Sequence, residues 1–433
     1  MICTRALAGL IFIFLFFPGP TRLHAQDIAY ARKMIQRLCA PDLYGRGYVN
    51  RGDSMAADFI AHQLEADGVS PYGESYFQPF SFPVNIFPGK VFLKTGSKKL
   101  IPGQDFIVDP GSPSINGKFR VHRLTAQVMA SKAGLREYFK NIQGGIVYID
   151  KKEFTGRNDS VSKILDRWIG ALKNDTLFNP AAVLVTAPGK LVWSASTSVD
   201  RRPVVITTYE LLPGDKTIFL RIDEKFMEAC RVRNVLGGIQ APVNCDSLIV
   251  LTAHYDHLGM MGNRTRFPGA NDNASGVALM LDLAKELYAA RDSLPCSVLF
   301  IAFAGEEEGL LGSQYFVTHP VTDLKKIKFL INLDLAGTGD DGITVVNATV
   351  FKNEFSKLTA LNEKYKLLPA VRSRGEACNS DHCFFYQAGV PCFFIYTLGG
   401  IQAYHDIYDR AETLPLTAYN NYFKLIRYFI LSL

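Results

Sequence analysis

An α/β fold, with a mixed, mostly parallel central sheet flanked by helices and a smaller β-rich domain inserted into it, is what this sequence predicts. Three observations carry the prediction. From about residue 230 to the end, apolar runs of strand length alternate with segments of helical periodicity, the pattern of a sheet covered by helices on both faces. Between about 98 and 223, short strand-like runs are separated by Gly, Pro and Asp turns, a change of character that reads as an insertion. A chain of 433 residues with 48% hydrophobic content is too apolar for disorder and long enough for two or three domains.

Taken in order, the chain opens with Arg5, the apolar run ALAGLIFIFLFF, PGP and a small-residue exit at Ala25. This reads as a secretory signal peptide over 1–25, too short to span a bilayer, so the protein is expected to be exported (periplasmic or extracellular) with no stable membrane span after cleavage. The net charge of +6 is mild, and no dense Lys/Arg stripe interleaved with aromatics argues for nucleic acid as a partner. Without Cys3, seven cysteines remain, an odd number that leaves at least one thiol unpaired. Export permits disulfides, and Cys378 and Cys383 are nearest in sequence, but connectivity is left open.

The main domain is expected in two parts, 26–97 and 226–433, around an insertion over 98–225. Its first part holds a helix-like segment, the turn-rich DLYGRGYVNRGD and a second helix around MAADFIAHQLEADG, with Ser54 as N-cap and Gly68 as stop. SYFQPFSFPVNIF alternates like an edge or antiparallel strand, and Pro79 and Pro83 keep it from a central position. In the insertion GGIVYID, AAVLVTA, RPVVITTY and TIFLRID read as strands and SVSKILDRWIGAL as a helix. With no His, Cys and carboxylate cluster at metal-ligand spacing, the insertion is assigned no chemistry. RVRNVLGGIQAPVNCDSLIVLTAHYD reads as a hairpin leading into the stretch that organises the rest.

That stretch is LTAHYDHLGMMGNRTRFPGANDNASG, 251–276. The strand-like SLIVLTA runs into His254, Asp256 and His257, GANDNASG places Asp272 in a loop, and VALMLDLAKELYAA continues at helical spacing. Taken singly, each residue is ordinary: His254 could be a hydrogen-bonded strand end, and Asp272 and Asn273 could cap the helix. Three further strands also end on acids or His, however: FAGEEEGLLGS carries Glu306, Glu307 and Glu308, FLINLDLAG carries Asp334, and FFIYTLGGIQAYHD reaches His405. In such sheets ligands gather beyond the carboxyl ends of the strands. Carboxylates crowded there would raise one another's pKa unless cations sat among them. His254 and His405 with Asp272, Glu307 and Asp334 suit two zinc ions per chain, one carboxylate bridging and each metal keeping an open position. A further carboxylate must then take and return a proton.

With these motifs in hand, the chain resembles the M28 zinc metallopeptidases, a group of dinuclear aminopeptidases that also includes glutamate carboxypeptidases and the related glutaminyl cyclases. The resemblance rests on LYGRGYVNRGDSMAADFIAHQL, NVLGGI, AHYDH, PGANDNASG, FAGEEEGLLGS, INLDLAG, NSDH with the following AGVP, and YHDIYDRAETL. It implies the zinc-aminopeptidase (phosphorylase/hydrolase-like) fold, with a protease-associated-like insertion. It also implies His254 and Asp334 on one zinc, Glu307 and His405 on the other, Asp272 bridging, Glu306 as general acid/base, and Asp256 behind His254, orienting it. Glu308, His257, Asp381 and His382 are read as structural. Asn271 stands where relatives often have Asp, and the cysteines before SDH differ by one residue in spacing from those of disulfide-bearing relatives, which keeps a Cys378–Cys383 bond open.

The expected function is that of an exported dinuclear zinc exopeptidase, an aminopeptidase acting on peptides with a free N-terminus. The alternatives are a glutamate-carboxypeptidase-like enzyme, a glutaminyl cyclase on the same scaffold, and, last, a non-catalytic binding protein.

Overall fold

The computed structural model describes residues 28–154, 159–242 and 245–433. The signal peptide expected over 1–25 lies outside the described residues.

The main sheet is built from β1 (Phe77–Ile86), β2 (Lys225–Ile239), β3 (Leu248–His254), β4 (Ser297–Phe303), β5 (Ile327–Leu333), β6 (Gly342–Val346), β7 (Val371–Ser373) and β8 (Cys392–Leu398). Its order is β2-β4-β3-β5-β8-β6-β7, with β1 antiparallel on β2. The inner strands β4, β3, β5 and β8 run parallel to one another. The helices are α1 (Ile28–Leu38), α2 (Gly52–Ala66), α3 (Gly276–Ala289), α4 (Leu311–Thr318), α5 (Lys352–Tyr365), α6 (His382–Gln387) and α7 (Tyr419–Ser432).

Every residue of β3 is buried, and strand alternation sends its side chains to two cores. Ile249, Leu251 and Ala253 join α1, α2, α3 and α7 on one face. Leu248 and Val250 join Phe316 of α4 and Phe385 of α6 on the other. Such a strand, apolar on both faces, belongs inside a parallel sheet. That is why the expected hairpin does not form: β4 lies between β2 and β3, and β2 pairs antiparallel with β1 and β4.

Ser54 does not cap α2, which starts two residues earlier at Gly52 after Arg51 in the left-handed region. The Ser54 hydroxyl instead accepts from Arg51 and Arg233. Gly68 follows the helix with a φ of 84°, a value a glycine adopts freely.

The insertion forms a second sheet with the order Lys98–Leu100, Val91–Thr95, Thr217–Ile222, Ile115–Arg123, Ile146–Asp150, Ala182–Thr186, Val204–Thr207 and Phe106–Val108. Helices Lys132–Asn141 and Asp159–Asn174 accompany it. Its strands open at Val91, ahead of residue 98, because Val91–Thr95 pairs with Thr217–Ile222. The two domains share an apolar core in which Trp193 and Val91 of the insertion meet Leu258, Met261 and Phe267 of the main domain.

Candidate metal centre

The carboxyl ends of β3, β4 and β5 converge. His254 closes β3, Glu306 and Glu307 follow β4, and Asp334 follows β5. Asp272 sits in the buried loop between β3 and α3. The loop takes its shape from Arg46, a fully buried guanidinium that donates to Tyr255 O (2.7 Å), Pro268 O (2.7 Å) and Gly269 O (2.7 Å). Gly269 has a φ of 59°, and a Cβ there would run into the Asp272 carbonyl and the His257 ring. A cis peptide joins Asp272 to Asn273.

Asp272 lies between two imidazoles. Its Oδ1 is 3.3 Å from His254 Nε2 and its Oδ2 is 3.0 Å from His405 Nε2. Asp334 Oδ1 stands 3.5 Å from His254 Nε2, and Glu307 Oε2 stands 3.2 Å from His405 Nε2. The structure thus gathers all five expected ligands. Among the described residues, the groups able to hold a metal ion are His254–Asp272–Asp334 and His257–Asp272–Glu307, which share Asp272. His257 was read as structural, yet its Nδ1 lies 2.6 Å from Glu307 Oε1. His405 Nε2 faces both Asp272 and Glu307, while His257 meets the other Glu307 oxygen.

The electrostatics ask for cations. Burial works against charge on His405, but Glu307 and Asp272 outweigh it and hold its pKa up at about 11. His254 is likewise held well above its usual value, against burial, by Glu306 and Asp334. Burial and Asp272 push Glu307 up, yet His405 and His257 bring it down to about 2. Asp334 Oδ1 is buried without a hydrogen bond. Carboxylate and imidazole donors with an orphaned carboxylate oxygen fit divalent zinc. Glu306 differs from the ligands: burial, outweighing the pull of His254, raises its pKa well above the usual range.

Around these groups stand residues that hold them. The Asp256 carboxylate accepts from the backbone N–H of Glu306 (3.2 Å) and Glu307 (3.3 Å), fixing their turn. Its backbone carbonyl meets His254 Nδ1 at 3.2 Å, and its carboxylate Oδ1 stands 3.9 Å from the same nitrogen, behind the ring. Ser380 Oγ donates to Asp334 Oδ2 at 3.2 Å. Asp409 accepts from the N–H groups of Asn271 (2.8 Å) and Asp272 (3.0 Å).

The insertion, assigned no chemistry from sequence, touches the centre. His405 Nδ1 donates to the Trp193 carbonyl at 2.9 Å, and Trp193 N donates to His405 O at 2.9 Å. With Nδ1–H donating to that carbonyl, Nε2 is turned towards Asp272 and Glu307. Lys190 reaches both sides of His405, donating to Gln402 O (2.7 Å) and pairing with Asp406 Oδ2 (2.8 Å). Nothing in GKLVWSAS carries metal-ligand spacing, and backbone donors leave no trace in residue type. Asp409 had a signal, since it sits in the matched YHDIYDRAETL.

His382 is structural, as expected. Burial lowers its pKa to about 4, and its Nε2–H donates to Ala377 O at 2.8 Å. The folded state keeps it neutral while the unfolded chain takes up a proton near its ordinary pKa. Stability should therefore be full above about pH 6.5 and fall as pH drops from there towards 4, by up to about 3 kcal/mol. Denaturant melts at pH 4.5 and 7 check this, and His382→Gln should flatten this part of the dependence. A Cys378–Cys383 disulfide ties the segment ahead of α6 to that helix's first turn, so the pairing left open by sequence is present.

The site opens into a cavity of about 160 Å³ lined by Glu306, Asp272, Asp334, Phe394, Tyr396 and Tyr404 together with His254 and His405. Larger cavities lie elsewhere, lined by Lys90, Lys99 and Arg264 among others, and hold none of the centre's ligands.

Residues 234–430 match the sequence profile described as peptidase family M28. A probable leucine aminopeptidase of Arthroderma otae is 29% identical over 215 residues, 47% of this chain and 56% of that one. Aminopeptidase YwaD of Bacillus subtilis is 33% identical over 165 residues, 36% of this chain and 34% of that one. The matched stretch thus spans about half, or less, of the length of these curated relatives. In three dimensions, BSAP, a zinc aminopeptidase from Bacillus subtilis, superposes with a TM-score of 0.65 at 22% identity, covering 93% of both chains. An aminopeptidase from Aneurinibacillus sp. strain AM-1 gives 0.61 at 22% identity over 94% of this chain and 93% of that one. At that identity the likeness shows the fold, and residues 234–430 match the M28 peptidase profile.

Proposed function

We propose that the protein is an exported dinuclear zinc aminopeptidase. His254 and Asp334 would hold one ion, His405 and Glu307 the other, with Asp272 between them. When bound there, zinc polarises a peptide carbonyl and acidifies water. Glu306 shares the cavity with these ligands, and its raised proton affinity suits a group that takes a proton and returns it to the departing amine. Asp256 keeps Glu306 and Glu307 on diverging paths by holding both of their N–H groups.

The observation that carries the choice of peptide end is the cavity lining. Glu306, Asp272 and Asp334 face it, and no Lys or Arg does among the described lining residues. A free ammonium is attracted there, whereas a terminal carboxylate would meet carboxylates. Phe394, Tyr396 and Tyr404 supply an aromatic wall for an apolar first side chain. The aminopeptidase names of the relatives support the same reading.

A panel of free, N-acetylated and C-amidated peptides tests it. Acetylation should abolish cleavage and amidation should leave it intact; the reverse pattern would overturn the assignment. Export is tested by sequencing the mature N-terminus, expected after Ala25.

Lys190 provides a check on the second ion. Lys190→Met should loosen the Gln402–Asp406 segment that carries His405 and so weaken one zinc, while the ion at His254 and Asp334 stays. Chelator competition read by elemental analysis measures it, and Lys190→Arg should restore part of the affinity.

A further inference from the structure

We infer that Cys245 and Cys296 are the site of a second disulfide, one that staples the two ligand-bearing strands at their ends remote from the metal centre. Cys245 and Cys296 are 51 residues apart in sequence, and their Sγ atoms lie 2.7 Å apart, closer than a thiol–thiol hydrogen bond requires. Only a small adjustment separates them from a bond length of about 2.05 Å.

The fold explains the approach. β3 and β4 are parallel neighbours whose register begins with Leu248 opposite Ser297 and closes with His254 opposite Phe303. Cys296 immediately precedes β4, and Cys245 lies three residues before β3. Ser297 Oγ also accepts from Ala241 N at 3.1 Å, which holds the incoming segment against β4. The pairing is thus set by the sheet itself. His254 and the Glu306–Glu307 turn lie at the other ends of the same strands, roughly 20 Å away at the usual rise per residue. The chain already carries a disulfide at Cys378–Cys383, and export would place both pairs in an oxidising compartment.

The chemistry needs an external disulfide, such as oxidised glutathione or the active disulfide of an oxidoreductase. Cys245 is the more exposed thiol, and its hydrogen bond with Cys296 lowers its pKa, whereas burial lifts Cys296 to about 11. Cys245 loses its proton and attacks one sulfur of the external disulfide, expelling one thiolate. Cys296 then gives up its proton, attacks Cys245 Sγ and expels the second. Two protein thiols are oxidised to one disulfide, and one external disulfide is reduced to two thiols.

The full-length protein, incubated with oxidised glutathione, unfolded, alkylated and digested without reduction, gives the test. A linked Cys245–Cys296 peptide is expected beside the Cys378–Cys383 one, with Cys39, Cys230 and Cys392 alkylated. Alkylated Cys245 and Cys296 in a sample whose Cys378–Cys383 bond is closed would overturn the assignment. The staple shortens the unfolded chain's reach, so Cys296→Ser should melt about 5 °C below oxidised wild type, with kcat and zinc content unchanged because the bond sits far from the centre. An unchanged melting point would remove the stapling role, and a tenfold loss of kcat would contradict its remoteness.

Discussion

Replacing Glu306 by glutamine should lower kcat by about 10²-fold or more while leaving zinc content near that of wild type. The expectation follows from how differently two adjacent glutamates are used. Glu307 faces His405 at 3.2 Å and His257 at 2.6 Å, and these two imidazoles hold its carboxyl down at about 2. Glu306 lines the cavity with its pKa raised by burial, which marks a carboxyl that exchanges protons there. Both backbone N–H groups rest on Asp256, so either side chain can be altered without moving the turn. Glu307→Gln should instead lose affinity for one ion, and added zinc should restore part of its activity. Steady-state kinetics paired with metal analysis separates the two, and near-normal turnover by Glu306→Gln would sink the proposed proton carrier.

Asp272→Asn should cost more, because one residue serves both halves of the centre. Its two oxygens lie 3.3 Å from His254 Nε2 and 3.0 Å from His405 Nε2, so removing its charge weakens both ions together. Zinc per chain should fall below one after dialysis, and kcat should drop by about 10³-fold or more, the loss of several kcal/mol of electrostatic stabilisation. The loop itself should survive. Arg46 holds it through the Pro268 and Gly269 carbonyls, and Asp409 through the Asn271 and Asp272 N–H groups, none of which involves the Asp272 side chain. Unchanged circular dichroism with retention of two zinc ions would show that Asp272 is not shared.

How much of this was legible beforehand depended on what each residue uses to do its work. His254, Asp272, Glu307, Asp334 and His405, which the fold brings together, have side chains whose chemistry is visible in their type, near strand ends where a parallel sheet gathers ligands. They could be read directly. The strands could be read too, since β3 and β4 are apolar on both faces. Pairing was harder. The expected hairpin failed because nothing local says that β4, encoded some fifty residues later, inserts between β2 and β3. Hardest were contacts made by main chain. Trp193 holds His405 through its carbonyl and N–H, so residue type carries no message there. Lys190 reads as any exposed lysine until the fold sets it beside Asp406.

The grip of Lys190 and Trp193 on the segment around His405 would make the two proposed metal positions unequal in tenure. The ion beside His254 and Asp334 would rest on β3, β5 and the Asp272 loop, all within the main domain. Its neighbour would rest in part on a bond across the seam between domains, so its residence time is set by how often that seam opens. A macromolecule that leaned on the inserted domain, far from any substrate, would act as a valve on one metal and not the other.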